Sequence, residues 1–112
     1  MLRQQEILAL ELIFRGEDKL SRAIKKRISE AESVGWEETG VGFFSTIKLN
    51  YPLSEVPEVR MWSYAFDHPD FPFGGVFNCM IVNENEMELE GVTLGGIDWP
   101  HPIDPRLFSD IS

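Results

Sequence analysis

The chain has 112 residues, 43% of them hydrophobic and 26% charged, a composition typical of one globular domain and unlike that of disordered chains. Its single cysteine, Cys79, excludes an internal disulfide, and no stretch is long or apolar enough for a signal sequence or a membrane span. The formal net charge of −9 argues against direct binding to nucleic acid, because acidic side chains repel phosphates. We therefore expect one soluble, cytoplasmic domain over residues 1–112.

Two helices are predicted in residues 1–34. Apolar residues are dense from 3 to 14 with no Gly or Pro between them, and Gly16 can supply the left-handed residue that ends this first helix. In the second helix, which should end at Val34-Gly35, apolar residues recur at three- and four-residue spacing: Leu20, Ile24, Ile28 and Ala31. We interpret its basic face as a solvated flank, and we expect the two helices to cover one face of a sheet.

The pattern changes to the two-residue period of β-strands after Gly35. Residues 39–49, TGVGFFSTIKL, predict a strand with Phe43, Ile47 and Leu49 on its apolar side. Residues 50–57 contain two prolines and predict a loop, and residues 58–67 predict a strand that carries three aromatic side chains on one face, Trp62, Tyr64 and Phe66. These rings are expected to pack in the core.

Residues 74–96, GGVFNCMIVNENEMELEGVTLGG, predict a β-hairpin. Apolar residues fill its first arm, 76–82, which is typical of a central strand, and the polar residues 83–86 form the turn. The second arm, 87–94, places its apolar residues on both faces if it alternates strictly, so we predict a bulge at Glu90-Gly91 that restores the register. Together the elements predict an α+β fold: an N-terminal helical hairpin packed on a mainly antiparallel, twisted sheet of about four to five strands, with an irregular C-terminal tail.

Charge is divided unevenly between these parts. Residues 1–34 hold seven basic and six acidic residues, a net charge of +1, whereas residues 35–112 hold three and thirteen, a net charge of −10. Within the acidic part, alternate acids follow the hairpin turn: Glu84, Glu86, Glu88 and Glu90. We expect Glu84 and Glu86 in the loop and the other two side by side on the second arm, where they form a rim suited to Lys and Arg of a partner. Asp98 and Asp104 can extend this surface.

Catalytic chemistry is not predicted. The acids match no calcium-loop spacing, and neither His68 nor His101 is spaced with Cys79 or Asp67 as a nucleophile dyad or a metal site requires. We interpret both histidines as hydrogen-bonding loop residues and Cys79 as a buried apolar side chain. We expect neither enzyme activity nor a metal or cofactor.

Two segments carry a resemblance to known proteins: Gly42-Phe43-Phe44, and Leu89-Glu90-Gly91 followed by Trp99-Pro100. They resemble segments of small bacterial proteins suspected to be immunity proteins of contact-dependent growth inhibition and related polymorphic toxin systems. This resemblance implies a protein that binds and neutralises a cognate toxin, in the first place a nuclease, by masking its active site or an adjacent surface. For such a partner we expect an acidic contact surface of Glu84, Glu86, Glu88, Glu90 and Asp98, with Trp99 or Phe71 as an aromatic anchor.

Two other classes remain open from the sequence. A small-ligand binder or small enzyme could use a pocket between the helices and the sheet, beside the aromatic strand. A subunit could also pair through an edge of its sheet, and the sequence does not determine the oligomeric state.

Overall fold

The fold is a single antiparallel sheet with two N-terminal helices on one of its faces, as the sequence predicts. The structure is a computed structural model that describes residues 1–100 and 105–110. The two α-helices and six strands have these bounds: α1 Gln4–Ile13, α2 Lys19–Arg27, β1 Glu32–Glu38, β2 Gly42–Lys48, β3 Met61–His68, β4 Phe71–Asn83, β5 Glu86–Thr93 and β6 Ser109–Asp110. Five strands are of substantial length and β6 has only two residues, so the α+β prediction is confirmed.

Strand β5 joins two hairpins into one sheet. The spatial order is β1-β2-β5-β4-β3-β6, so β5 pairs with β4 of its own hairpin on one side and with β2 on the other. The loop of residues 49–60 carries the chain from β2 to β3, past the turn between β4 and β5. Its backbone is fixed to that turn because Leu49 and Leu53 donate to the carbonyl oxygens of Asn85 and Glu84 at 2.8 and 2.6 Å.

Helix α1 packs on the inner face of the sheet, the face that carries the core. Its Glu6 side chain is completely buried there and accepts hydrogen bonds from the Ser45 hydroxyl and, at 2.7 Å, from the backbone N–H of Arg3. The Arg3 guanidinium lies 3.8 Å from the same carboxylate. A buried carboxylate is tolerated only with such partners, so this group fixes α1 over β2.

Part of the core is an aromatic cluster around Phe43 of β2. Trp36 stacks on this ring at a centroid distance of 4.6 Å, and Trp99 meets it edge-on at 5.5 Å. Gly91 on β5 makes the space, since a Cβ atom there would lie 2.5 Å from Phe43 Cε1 and 3.0 Å from Trp99 Cη2. Such aromatic contacts are favourable beyond the area they bury.

Two predictions about helix ends are wrong. The second helix does not reach Val34-Gly35: α2 ends at Arg27, a 3-10 turn follows over Ile28–Glu30, and residues 32–38 form β1 on β2. Residues 32–38 form a strand instead of continuing the helix because the strand pairs their backbone with β2 and packs part of Trp36 on Phe43. Gly16 does not adopt the left-handed conformation, which the structure gives to Gly40, Gly74, Gly95 and Gly96.

The predicted bulge at Glu90-Gly91 is also wrong. Strand β5 pairs without interruption from Glu86 to Val92 along β2 and from Met87 to Thr93 along β4. Val92 therefore stays on the outer face, and Gly91 faces the core, where its missing side chain admits Phe43. The register shift between β4 and β5 lies instead between Ile81 and Asn83, beside the turn.

Replacement of Gly91 by alanine should destabilise the fold by about 1–3 kcal/mol, because the new methyl group overpacks Phe43 and Trp99. Urea unfolding followed by tryptophan fluorescence measures this loss. The matched control is Gly35→Ala, whose Cβ would meet only Thr46 at 3.5 Å, an ordinary contact. Equal stability of the two variants would contradict this account of the core.

Candidate interaction surface

The outer face of the sheet, opposite the helices, carries the candidate site. Cross-strand register sets its side chains in rows. One row runs through Glu37, Phe44, Glu90, Asn78 and Ser63, and the next through Gly35, Thr46, Glu88, Met80 and Met61. Since successive residues of a strand point to opposite faces, these positions alternate with the buried core residues. The outer face therefore combines apolar and acidic side chains.

Three acids of the hairpin share this face. Glu86, Glu88 and Glu90 alternate along β5 with the buried residues Met87 and Leu89. The prediction that Glu86 lies in the loop is wrong, because the turn consists of Glu84 and Asn85 only and Glu86 already pairs with Lys48 of β2. The strand thus presents three carboxylates in line, one more than expected.

A chain of hydrogen bonds orders Glu90. The Ser63 hydroxyl donates to Asn78 Oδ1 at 2.6 Å, and Asn78 Nδ2 donates to Glu90 Oε1 at 3.0 Å. The chain crosses from β3 through β4 to β5. It holds the Glu90 carboxylate in one orientation while leaving it partly exposed.

Glu88 is different, because its carboxylate makes no hydrogen bond or ion pair with the described residues 1–100 and 105–110. It lies on the wall of a shallow depression of about 120 Å³. The other side chains that line the depression on this face are Phe44, Met61, Asn78, Met80 and Glu90. Two of them are strongly exposed: Met61 at 63% and Phe44 at 38%.

The remaining predicted acids lie apart from this cluster. Glu84 is exposed in the turn, at one end of β5. Asp98 is exposed beyond the other end of β5, where the N–H of the next residue, Trp99, donates to the Gly40 carbonyl at 2.9 Å. Asp104 and His101 lie outside the described residues.

Phe71 and Trp99 are not surface anchors in this structure. Their exposed fractions are only 1% and 6%, and their rings meet at 5.1 Å inside the core. Trp99 also donates its indole N–H to Gln5 Oε1 on α1 at 3.1 Å. Their segments lack a strand or helix pattern in the sequence, which favours surface positions. In the structure both rings instead pack among the aromatic side chains of the inner face.

The sequence-based predictions do not include the apolar part of the surface. Phe44, Met61 and Met80 are not among the predicted site residues, although Phe44 and Met61 are exposed on the outer face. The alternation that put Phe43 and Trp62 inside also puts Phe44 and Met61 outside, so strand parity contained the signal. What it could not supply was their proximity to Glu88, which depends on the order β2-β5-β4-β3.

The histidine and cysteine occupy structural positions. His68 is buried at the end of β3, where Nδ1 accepts the Asp70 N–H at 3.0 Å and the ring lies 5.3 Å from that of Phe71. Cys79 is buried on the inner side of β4. Within residues 1–100 and 105–110 no three His, Cys, Asp or Glu side chains are grouped to hold a metal ion.

Two open grooves flank the helices. One, of about 370 Å³, lies between the junction of the helices and β3 and is lined in part by Trp62, Tyr64 and Arg15, whose guanidinium sits 4.8 Å from the Tyr64 ring centre. The other, of about 500 Å³, lies between α2 and the loop of residues 49–60. A small-ligand binder or enzyme with a pocket between helices and sheet thus stays a prediction.

Burial gives Cys79 a testable signature. Desolvation raises the pKa of its thiol from the ordinary 9.0 to about 12, so the reactive thiolate is suppressed. Native protein at pH 8 should resist iodoacetamide, whereas the urea-unfolded chain should be alkylated at the rate of a free thiol. Mass spectrometry measures both, and equal rates would show that Cys79 is accessible.

The same shift links this thiol to stability. The unfolded chain releases the proton near pH 9.0, while the folded chain keeps it up to about pH 12. The contribution of the buried, protonated thiol to the free energy of unfolding is therefore fully present below pH 9.0, and it is lost as the pH rises towards 12.

Comparison of the chain with protein-family models, curated proteins and solved structures gave no match. Among the described residues, no helix is long and apolar enough to cross a membrane.

Proposed function

We propose that this protein is an immunity protein that binds a cognate bacterial toxin and neutralises it by masking its active site or an adjacent surface. The supporting observation is the outer face of the sheet, where the carboxylates of Glu86, Glu88 and Glu90 stand in line beside exposed apolar side chains. A surface that combines acids with an apolar floor suits a partner that is basic and partly apolar.

The toxin that this surface fits best is a nuclease. A groove that binds a phosphate backbone must be basic, and an acidic protein surface is complementary to it. In such a complex the charges accelerate encounter, while desolvated apolar contacts supply most of the affinity. The protein then acts by stoichiometric binding and needs no chemistry of its own.

Co-expression tests the function directly. The toxin encoded beside this gene should stop growth when expressed alone, and co-expression of this chain should restore growth and give a stable complex on size-exclusion chromatography. Killing that continues unchanged, with no complex between the purified proteins, would refute the proposal.

Charge reversal tests the surface. The double variant Glu86→Lys, Glu88→Lys should associate with that toxin about tenfold or more slowly at low salt, with a weaker dependence of the rate on salt, because steering is lost. Stopped-flow fluorescence measures the association rate.

The control changes the same number of charges elsewhere. Glu11→Lys, Glu58→Lys alters exposed residues on α1 and in the loop after β2, away from the outer face. Its association rate should stay within about twofold of that of the unmodified protein. Equal slowing by both double variants would mean that net charge, and not this surface, directs the encounter.

A further inference from the structure

The depression beside Glu88 has the chemistry of a socket for a single arginine side chain, and we propose that an arginine of the partner inserts there. This inference rests on the proposed function for the identity of the partner. The argument starts from size: the volume of about 120 Å³ is well below the roughly 300–1,000 Å³ of pockets for drug-sized ligands, so one side chain fits.

The walls favour a long side chain with a charged end. Phe44, Met61 and Met80 offer apolar surface to an aliphatic stem, and the thioether side chains of methionine adapt their shape to what binds them. Glu88 offers a carboxylate without a partner among residues 1–100 and 105–110. Glu90 stands two residues away on the same face, and two like charges so close are relieved by a cation.

Arginine fits these walls better than a metal ion or lysine. A metal ion would need a third ligand of the usual types, which the described residues do not group here. A guanidinium can bind the Glu88 carboxylate through two parallel hydrogen bonds and lie against the Phe44 ring, whereas an ammonium acts as a point charge.

Hydrogen bonding already present prepares the site. Asn78 fixes Glu90 Oε1 at 3.0 Å, and Ser63 fixes Asn78, so the second carboxylate does not need to be ordered on binding. Preorganisation of this kind lowers the entropic cost of association.

The four methionines make the test site-specific. Met61 and Met80 line the depression, Met87 is buried on the inner face, and Met1 is exposed at the N-terminus. Protein labelled with ¹³C at the methionine methyl groups is titrated with acetyl-Gly-Arg-Gly-amide, and with the norleucine analogue as a probe of purely apolar binding. The Met61 and Met80 methyl signals should shift with the arginine peptide only, and those of Met87 and Met1 should not move.

Variants then assign the interaction. Glu88→Gln keeps the shape of the side chain and should weaken binding of the arginine peptide about fivefold, as expected for loss of a partly exposed ion pair. Phe44→Leu should reduce the preference for the arginine peptide over acetyl-Gly-Lys-Gly-amide. Glu11→Gln on α1 makes the same change of charge as Glu88→Gln and should leave binding unchanged. Amide spectra of each variant verify the fold.

The outcomes separate this inference from the proposed function. The arginine socket would be overturned if the Met61 and Met80 methyl signals did not shift with the arginine peptide, or if they shifted equally with the norleucine peptide. It would also be overturned if Glu88→Gln bound the arginine peptide as tightly as the unmodified protein. Each of these results would count against the socket even if the toxin is neutralised in co-expression. The socket would be supported if the methyl signals shifted only with the arginine peptide and if Glu88→Gln weakened binding of that peptide. This would hold even if co-expression gave no protection and the proposed function were refuted.

Discussion

The contact of the Phe43 ring with the backbone of Gly91 is the constraint on which the structure depends. A Cβ atom at position 91 would lie 2.5 Å from Phe43 Cε1, so any side chain there must displace that ring. Trp36 and Trp99 then close over Phe43 from two sides. Through these rings the first strand and the segment after the last long strand are both held to the centre of the sheet.

The helices cover only the face that carries this aromatic core, and no other helix of the described residues covers the opposite face. The two faces share the same strands, so each buried residue has an outward neighbour: Phe44 beside Phe43, Glu88 beside Leu89, Met80 beside Cys79. Packing on one side thus fixes the positions of the acids and methionines on the other.

The proposed function gives charge and apolar area different roles on that outer face. In the proposed complex the line of carboxylates directs encounter over about a Debye length, whereas the apolar side chains of Phe44, Met61 and Met80 are desolvated. The carboxylate of Glu6 has another role, since it is completely buried on the inner face and fixes α1 through its hydrogen bond from Ser45. The acidic residues of this chain therefore include both carboxylates on the outer face and a buried carboxylate that stabilises the fold.

The sequence by itself determined the helical start, the alternating faces of β2 and β3, and the existence of the β4–β5 hairpin, because these follow from local periodicity and turn chemistry. Only the tertiary structure decided that residues 32–38 leave the helix to form β1, that Gly91 makes room instead of a bulge, and that Phe71 and Trp99 point inward. Glu86, Glu88 and Glu90 could be placed on one surface from their spacing, but the socket around Glu88 draws on three other strands. Contacts between residues far apart in the chain depend on strand order, which local patterns do not encode.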